Sequence, residues 1–311
     1  MRVAENSVVT VGTFDGIHVG HRAVLEEVGR RAKRSRRETV LVTFEPHPLE
    51  VIKPEVAPRR LTTADERLEV VAASGVERMV VLAFNRAMAS EAPEEFVASV
   101  LLDRCGMREL VIGHDHGFGR GRSGDVGTLR RLGAERGFSV DVVEPIVVDG
   151  SPVSSTAVRR AVARGDLDQA ARLLGRRYAI HGAVREGERR GRTLGFPTLN
   201  LDVPPRKLLP PDAVYAVVAE TPAGRFGGMM NQGRRPTFDP ARRLLEVHLF
   251  GFGGDLYHRW VRIEWVALLR EIRRFDGVAA LQRQLEDDRL RAMALLASAR
   301  VDLDAPVTAP E

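Results

Sequence analysis

The chain has 311 residues, a formal net charge of +5 and one cysteine. Its length predicts two domains, and its 44% hydrophobic and 29% charged residues are ordinary for a soluble protein. No apolar run approaches the ~18 residues that a membrane-spanning helix needs, so we expect no membrane partner. The N-terminus has no cationic flank followed by an apolar stretch, so we expect no signal peptide. A single cysteine argues against a disulfide framework and predicts a cytoplasmic location. Arginine is spread along the chain and aromatic residues make up only 5%, so the positive charge fits small anionic substrates and no nucleic-acid partner is expected.

Strands and helices alternate in the first half of the chain. Apolar, β-branched runs predict strands, and a Thr63-Ala64-Asp65-Glu66 capping box predicts a helix start. The predicted strands cover residues 8–11, 39–44, 79–84, 109–113 and 138–144; a first helix ends in the basic run 33–37, and further helices cover 63–74, 90–102, 124–136, 156–164 and 167–174. This alternation predicts an α/β doubly wound parallel sheet, whose ligands bind beyond the carboxyl ends of the strands.

The pattern changes after Gly175, which we predict to end a first domain at residues 1–175. Strands then follow one another without intervening helices, at residues 178–184, 213–220, 225–230, 244–250 and 260–269. Closely spaced strands predict a small antiparallel β-barrel, and residues 276–299 predict an amphipathic C-terminal helix. We therefore expect a second domain at residues 176–300 and a loose C-terminal tail at 301–311.

The first candidate site lies where the strand at residues 8–11 meets the first helix. Gly12, Gly16 and Gly20 allow a tight turn and a close approach of the backbone to a ligand. His18 and His21 can share one face of the helix start, so both imidazoles can point at one anion together with the first backbone amides. The pattern predicts a phosphate site. The alternatives are that one histidine caps the helix while the other lies on the surface, or a zinc site, for which no cysteine or third ligand is suitably spaced.

A second candidate site is the run Ser154-Ser155-Thr156 at a predicted helix start. Its hydroxyls can accept hydrogen bonds from backbone amides, and Arg159, one turn further on, can contact a phosphate. The alternative is an ordinary helix cap followed by a solvent-exposed arginine.

A third candidate site lies in the barrel half, where Gly191 and Gly195 permit a phosphate-approaching loop. Thr198 and Asn200 place two oxygens on the same side of an extended segment, which suits Mg²⁺ and a nucleotide. The alternative is a turn-rich corner of the barrel.

These motifs resemble those of one family. Gly12-x-Phe14-Asp15-Gly16-x-His18-x-Gly20-His21 resembles the signature of the HxGH nucleotidyltransferases, and Ser154-Ser155-Thr156-x-x-Arg159 resembles their second nucleotide-binding motif. Gly195-Phe196-Pro197-Thr198-x-Asn200 closely resembles the signature of riboflavin kinases. From about residue 8 to 290 the chain is similar to bacterial bifunctional riboflavin kinase/FAD synthetases, which implies an FMN adenylyltransferase domain followed by a riboflavin kinase domain.

The resemblance also implies a role for each matching residue. It implies that His18, His21 and Arg159 are catalytic in adenylyl transfer, and that Glu246 is the base of the kinase. It further implies nucleotide binding by Gly12, Phe14, Asp15, Gly20, Ser154, Ser155, Thr156, Gly191, Gly195, Thr198 and Asn200, Mg²⁺ binding through Thr198 and Asn200, and flavin binding by Asp115, Phe118, Asn231 and Arg235. The sequence departs from the family pattern at His116, Gly117, Ala213, Gly251 and His258, which bears on flavin affinity.

The implied activity is ATP-dependent phosphorylation of riboflavin to FMN, followed by adenylylation of FMN to FAD with release of pyrophosphate. ATP is the co-substrate and Mg²⁺ the cofactor. A nucleotidyltransferase of the same superfold, with the barrel as a binding module, would instead adenylylate another phosphorylated substrate and would not phosphorylate riboflavin. A basic nucleic-acid-binding protein would show salt-sensitive affinity and no flavin-dependent ATP turnover.

Overall fold

The structure is a computed structural model that describes residues 6–114, 117, 124–187, 190–235 and 239–303, without the side chains of residues 190, 192, 234, 235 and 239–242. It divides into two compact units, Met1–Ala157 and Val158–Glu311. The domain boundary that we expect after Gly175 stays a prediction. No helix among the described residues is both long and apolar enough to cross a membrane.

The first unit contains a parallel sheet flanked by helices. Its strands are β1 Ser7–Val11, β2 Glu38–Glu45, β3 Arg78–Ala83, β4 Met107–Gly113 and β5 Ser139–Val143, in the order β3-β2-β1-β4-β5; a short antiparallel pair, β6 Val147–Val148 and β7 Ser151–Pro152, follows. Every residue of the central strand β1 is buried, as expected for a parallel strand that is covered on both faces.

Helices cover both faces of this sheet. They are α1 Val19–Ser35, α2 Pro48–Ile52, α3 Ala64–Ala72, α4 Arg86–Ser90, α5 Pro93–Phe96, a π-helix at Val97–Arg104 and α6 Val126–Arg136. On one face, Val24 and Leu25 of α1 pack with Phe14 and Val111. The other face is covered by a separate cluster that includes Leu129 of α6. The predicted doubly wound α/β architecture is therefore confirmed.

The second unit is a closed antiparallel barrel. Helix α7, Ser155–Arg164, begins in the first unit and continues into the second, where α8 Leu167–Leu174 follows it. The barrel strands are β8 Ala179–Arg185, β9 Leu199–Asp202, β10 Ala213–Thr221, β11 Gly224–Arg235, β12 Asp239–Leu249 and β13 Trp260–Glu271, in the order β10-β11-β12-β9-β8-β13, with the short helix α9 Arg190–Thr193 before β9 and α10 Val278–Ser298 after β13.

Alternation along the barrel strands separates two layers of apolar side chains. Val214, Ala216 and Val218 of β10 form one cluster with Ala292 and Leu296 of α10, which places α10 against the outer face of the barrel. The side chains between them on β10 point to the opposite, inner face. The predicted barrel with a C-terminal helix is confirmed.

Some predicted bounds were wrong for physical reasons. Ser90 ends α4 instead of opening a helix, and the next helix begins at Pro93, a residue that favours the first helical turn. Strand β12 begins at Asp239, ahead of the predicted residue 244. The elements α2, α4, α9, β6 and β7 were not predicted because they are too short for a periodic pattern to develop.

Candidate active sites

The loop between β1 and α1 has an unusual backbone. Phe14, Gly16 and Ile17 have φ angles of 47°, 85° and 39°, in the left-handed region that disfavours side chains. A Cβ atom on Gly16 would also lie 2.7 Å from Leu61 Cδ1. Contacts from other segments must therefore hold Phe14 and Ile17 in these backbone angles. Gly16 lies where a side chain would clash with Leu61.

The two candidate histidines meet at the N-terminus of α1. His18 is the N-cap, and its Nδ1 accepts a hydrogen bond from the backbone N–H of His21 at 3.3 Å. The two rings stack with their centroids 3.7 Å apart. Because Nδ1 of His18 is an acceptor, the proton of the neutral ring is on Nε2. One histidine is thus a helix cap, as the alternative interpretation required, and it also lies directly against the second histidine.

Small residues and Phe14 hold these rings in place. The Phe14 ring lies 4.8 Å from the ring of His21, centroid to centroid. A Cβ atom on Gly12 would approach the Phe14 ring to 3.2 Å, and one on Gly20 would approach His18 Nδ1 to 3.2 Å. A side chain at either glycine would therefore push against the Phe14 ring or the His18 ring.

Asp15 and Ser155 connect this loop to other segments of the first unit. The Asp15 carboxylate is buried and accepts hydrogen bonds from the backbone N–H groups of Leu61 and Thr62, at 3.0 and 2.9 Å to Oδ1. Ser155 Oγ donates to the Asp15 carbonyl oxygen at 2.8 Å. The structure thus brings the second motif to the first loop. Nucleotide binding by Asp15 stays a prediction; in the structure its carboxylate holds the loop.

The other residues of the second motif surround the start of α7. Ser154 Oγ accepts a hydrogen bond from Ala157 N at 3.2 Å, which is the helix cap that the alternative interpretation expects. Thr156 is exposed, and Arg159 lies one turn into α7, in the second unit. Asp115 and Phe118, the predicted flavin contacts of the first domain, lie outside the described residues.

In the barrel, the candidate base lies between two asparagines. Glu246 on β12 pairs directly with Asn200 on β9 and with Asn231 on β11. Directly paired residues share a face of the sheet, and Asn231 Nδ2 donates to Glu246 Oε2 at 3.3 Å. The neighbours Leu245 and Val247 are fully buried on the opposite face. The predicted alternation on β12 is confirmed. The Arg235 side chain lies outside the described residues.

The loop before β9 makes a tight turn next to the row formed by Asn200, Glu246 and Asn231. Gly191 O accepts hydrogen bonds from the backbone N–H groups of Leu194 and Phe196, and a Cβ atom on Gly191 would lie 2.2 Å from Phe196 O. Gly195 has a φ of 82°. Both glycines that the sequence indicated are therefore required by the backbone, and the turn leads directly to Thr198.

His248, two residues after Glu246 on β12, makes a hydrogen bond to the same loop. Its Nδ1 lies 2.8 Å from the Pro197 carbonyl oxygen, so this nitrogen carries the proton and donates. Burial lowers the pKa of His248, while the bond to Pro197 acts in the opposite direction. The sequence did not indicate this contact, because its two partners are far apart along the chain.

Asn200 carries a buried polar atom that the described residues leave without a hydrogen bond. It is 6% exposed, and its Oδ1 is buried without a hydrogen-bond partner in the part of the chain that the structure describes. A Cβ atom on Gly187 would lie 2.1 Å from Asn200 Nδ2, so a larger residue there would displace the amide. An unsatisfied buried carbonyl oxygen beside a threonine hydroxyl and a carboxylate fits a hard cation such as Mg²⁺.

Comparison with known proteins assigns a family description to each half of the chain. A family model described as FAD synthetase matches residues 1–157, and one described as riboflavin kinase matches residues 174–296. The chain is 40% identical over 291 residues to a bifunctional riboflavin kinase/FMN adenylyltransferase of Pseudomonas fluorescens, covering 93% of each chain. It is 37% identical over 292 residues to the enzyme of the same name from Escherichia coli (strain K12), covering 93% of this chain and 92% of the relative.

A solved structure has the same architecture. It is described as a macrolide-efflux protein from Streptococcus pneumoniae, and it superposes with a TM-score of 0.85 at 30% identity, covering 94% of this chain and 95% of the other. The two family models together match most of the chain, in the order that the motifs predict. The chain therefore belongs to the bifunctional riboflavin kinase/FMN adenylyltransferase family.

Proposed function

We propose that the two reactions of this family, phosphorylation of riboflavin and adenylylation of FMN, take place at two separate sites of this chain. The histidine loop would carry adenylyl transfer, and the row Asn200–Glu246–Asn231 would carry phosphorylation. The observation that carries the proposal is the position of Glu246, a carboxylate held between two amides beside the glycine turn before β9.

Adenylyl transfer needs charge stabilisation more than a protein nucleophile. An oxygen of the FMN phosphate attacks the α-phosphorus of ATP, the bond from that phosphorus to the bridging oxygen breaks, and pyrophosphate leaves. His18, His21 and Arg159 would donate to the phosphate oxygens as negative charge develops on them. Such donors contribute about 10²–10³-fold each in well-studied enzymes. Ser155 and Thr156, with the amides at the start of α1, would hold the triphosphate.

Riboflavin phosphorylation needs a base for the attacking hydroxyl. The Glu246 carboxylate would accept the proton of the ribityl 5′-hydroxyl as its oxygen attacks the γ-phosphorus of ATP and ADP leaves. Asn231 would hold the carboxylate through its amide. Gly191 and Gly195 would let the loop backbone approach the phosphates.

The donor set around Thr198 and Asn200 fits Mg²⁺, which when bound would neutralise charge on the ATP phosphates. Thr198 Oγ1 and Asn200 Oδ1 would hold it. We also propose that the substrates are ATP, riboflavin and FMN, that neither nucleic acid nor a membrane is a partner, and that the enzyme works in the cytoplasm, as its single buried cysteine suggests.

Incubation of the purified protein with riboflavin, ATP and Mg²⁺, followed by chromatographic separation of the flavins over time, tests the proposal. We expect FMN to appear first and FAD to follow. FMN without FAD would remove the adenylyl site from the proposal, and FAD only from added FMN would remove the kinase site. No change in either flavin would contradict both assignments.

A further inference from the structure

The histidine loop is supported by one segment that neither motif contains. This segment, residues 61–67, consists of the buried residues Leu61 and Thr62, the cap Thr63 and the first turn of α3. Leu61, Thr62 and Arg67 in it are at most 5% exposed. From the sequence alone the segment shows only a helix start, because its partners in the loop are 46 to 54 residues away.

Thr62 contacts the loop at two adjacent residues. Its hydroxyl accepts a hydrogen bond from Gly16 N at 3.1 Å and donates to Asp15 Oδ1 at 3.2 Å, while its backbone N–H also donates to Asp15 Oδ1. The Thr62 hydroxyl therefore satisfies both the Gly16 N–H and the Asp15 carboxylate, which belong to the left-handed turn. All of these atoms are buried, so water cannot take over their hydrogen bonds.

Arg67 supports the same loop one residue before Phe14. Its Nη1 donates to the Thr13 carbonyl oxygen at 3.3 Å, and its Nη2 pairs with Glu45 Oε2 at 2.9 Å. Thr43 Oγ1 donates to the same Thr13 oxygen at 3.2 Å. The Thr13 carbonyl and the Phe14 nitrogen belong to one rigid peptide plane, so these donors fix the orientation from which Phe14 enters its left-handed conformation.

This support reaches the histidines through the Phe14 ring. A left-handed φ is unfavourable for a residue with a side chain and persists only where its surroundings hold it. If the Thr13 carbonyl is free to rotate, Phe14 can relax toward ordinary backbone angles. Its ring then leaves the position 4.8 Å from the His21 ring. The stacked histidine pair loses its packing contact with Phe14.

We infer that Thr62 and Arg67 are positioning residues for FMN adenylylation, because they hold the loop that presents His18 and His21. Neither residue needs to touch a substrate. The inference rests on the proposed role of the histidine loop in adenylyl transfer.

The test compares Arg67→Met, Arg67→Lys, Thr62→Val and Thr62→Ser, with kcat and KM measured for FAD formation from added FMN. A misplaced catalytic group can cost about 10²-fold in rate, so we expect Arg67→Met and Thr62→Val to lower kcat by about that factor. The KM values for FMN and ATP should stay within about twofold, because no substrate contact is removed. Thr62→Ser keeps the hydroxyl and should retain the rate. Arg67→Lys should stay slow, because an ammonium cannot bridge Thr13 and Glu45 as the planar guanidinium does.

Two matched controls separate positioning from stability. Thr63→Ala removes the cap of α3, whose hydroxyl accepts from Glu66 N at 3.2 Å, and it leaves the loop contacts intact. Arg78→Met breaks an arginine–glutamate pair with Glu38 in the same unit, away from the loop. Both should lower the Tm and leave kcat for FAD formation unchanged. Riboflavin phosphorylation reports only that the barrel is folded. A circular dichroism spectrum like that of the wild type and a cooperative thermal unfolding transition are therefore required of each variant to show that the first unit is folded as well.

Several results would overturn the inference. Unchanged kcat in both Arg67→Met and Thr62→Val would do so, as would an equal loss in Thr63→Ala. A selective rise in KM for FMN or ATP would make the residue a substrate contact instead. If Arg67→Met does not fold, the pair Thr62→Val and Thr62→Ser decides. His21→Ala is measured in parallel: if it retains FAD formation, the proposed function of the loop has failed, and if it loses FAD formation while the four variants do not, only this inference has failed.

Discussion

The imidazole rings of His18 and His21 stack with their planes 15° from parallel, at the point where α1 begins. In the proposed function both rings would contact one phosphate group. We predict that His21→Ala lowers FAD formation from added FMN by about 10²–10³-fold, because one donor to the developing charge is removed. FMN formation from riboflavin should be unchanged, measured by chromatography on the same preparation. A parallel loss of both activities in a folded variant would contradict the two-site assignment.

Glu246→Gln should lower FMN formation and leave FAD formation intact, the reverse of His21→Ala. A glutamine side chain cannot accept the proton of the ribityl hydroxyl, so we expect FMN formation to fall by about 10²–10⁴-fold. FAD formation from added FMN should persist. Glu271→Gln, which changes an exposed glutamate of the same barrel, is the matched control and should leave both rates unchanged. An active Glu246→Gln kinase would show that another group is the base.

Gly191→Ala tests the turn before β9. The added Cβ atom would lie 2.2 Å from the Phe196 carbonyl oxygen, and a backbone atom cannot easily move away. We expect riboflavin phosphorylation to fall by about 10²-fold or more because the loop is displaced, with FAD formation from FMN retained. Gly253→Ala, at a glycine of the loop between β12 and β13 whose Cβ position is open, should leave riboflavin phosphorylation unchanged. If both variants remain active, the close approach at Gly191 is not needed for the kinase.

Asp288 attaches α10 to the barrel. Its carboxylate is 2% exposed and accepts from Arg270 Nε at 2.9 Å and from Nη2 at 2.8 Å. Removing one partner of a buried ion pair typically costs about 3–5 kcal/mol, and because Arg270 keeps some contact with water we expect about 3 kcal/mol for Asp288→Asn. Urea unfolding measures the loss. Asp287→Asn, at the exposed neighbour, should change the free energy of unfolding little, and a similar loss there would point to a general effect on the helix.

Tyr215 makes the stability of the barrel depend on alkaline pH. Burial raises the pKa of its phenol to about 12, and the nearby Asp212 carboxylate acts in the same direction. In the unfolded chain the phenol titrates near pH 10, so between about pH 10 and 12 the folded state keeps a proton that the unfolded state has lost. This contribution to stability is complete below pH 10 and is lost as the pH rises through 12, at about 1.4 kcal/mol per pH unit.

Tyr215→Phe separates this effect from the other tyrosines. The variant lacks the hydrogen bond from the phenol to Pro211 O, so we expect it to be about 1 kcal/mol less stable at neutral pH. Its stability should then decline less than that of the wild type above pH 10, so that the two curves of unfolding free energy converge and then cross before pH 12. Parallel curves up to pH 12 would show that Tyr215 does not titrate in this range.

The sequence predicted the two architectures because their signals are local. Val8 to Val11 is an unbroken β-branched run and reads as a buried parallel strand, and Leu245 to Leu249 alternates between the two faces of β12. Glycine positions were also informative, because only a few residue types tolerate the angles found at Gly16 and Gly195. Such patterns need no knowledge of the rest of the chain.

What the sequence did not predict depends on distant partners. The bond from His248 to Pro197 spans 51 residues, and that from Arg67 to Thr13 spans 54. No periodicity links such positions, and a threonine or an arginine near a helix start has an ordinary explanation in capping and solvation. Ser90 and Pro93 illustrate a second limit: either could begin a helix, and tertiary packing decided between them.

The pairing of Glu246 with Asn200 and Asn231 has a consequence for refolding. Side chains alternate along a strand, so a slip of β12 by one residue would turn Glu246 into the barrel and Val247 outward. Among the described residues, the six strands close on one another without a free edge at which such an error could be absorbed. If Glu246 is the base of the kinase, riboflavin phosphorylation recovered after denaturation counts the molecules whose strands are correctly registered, whereas circular dichroism would count misregistered strands as well.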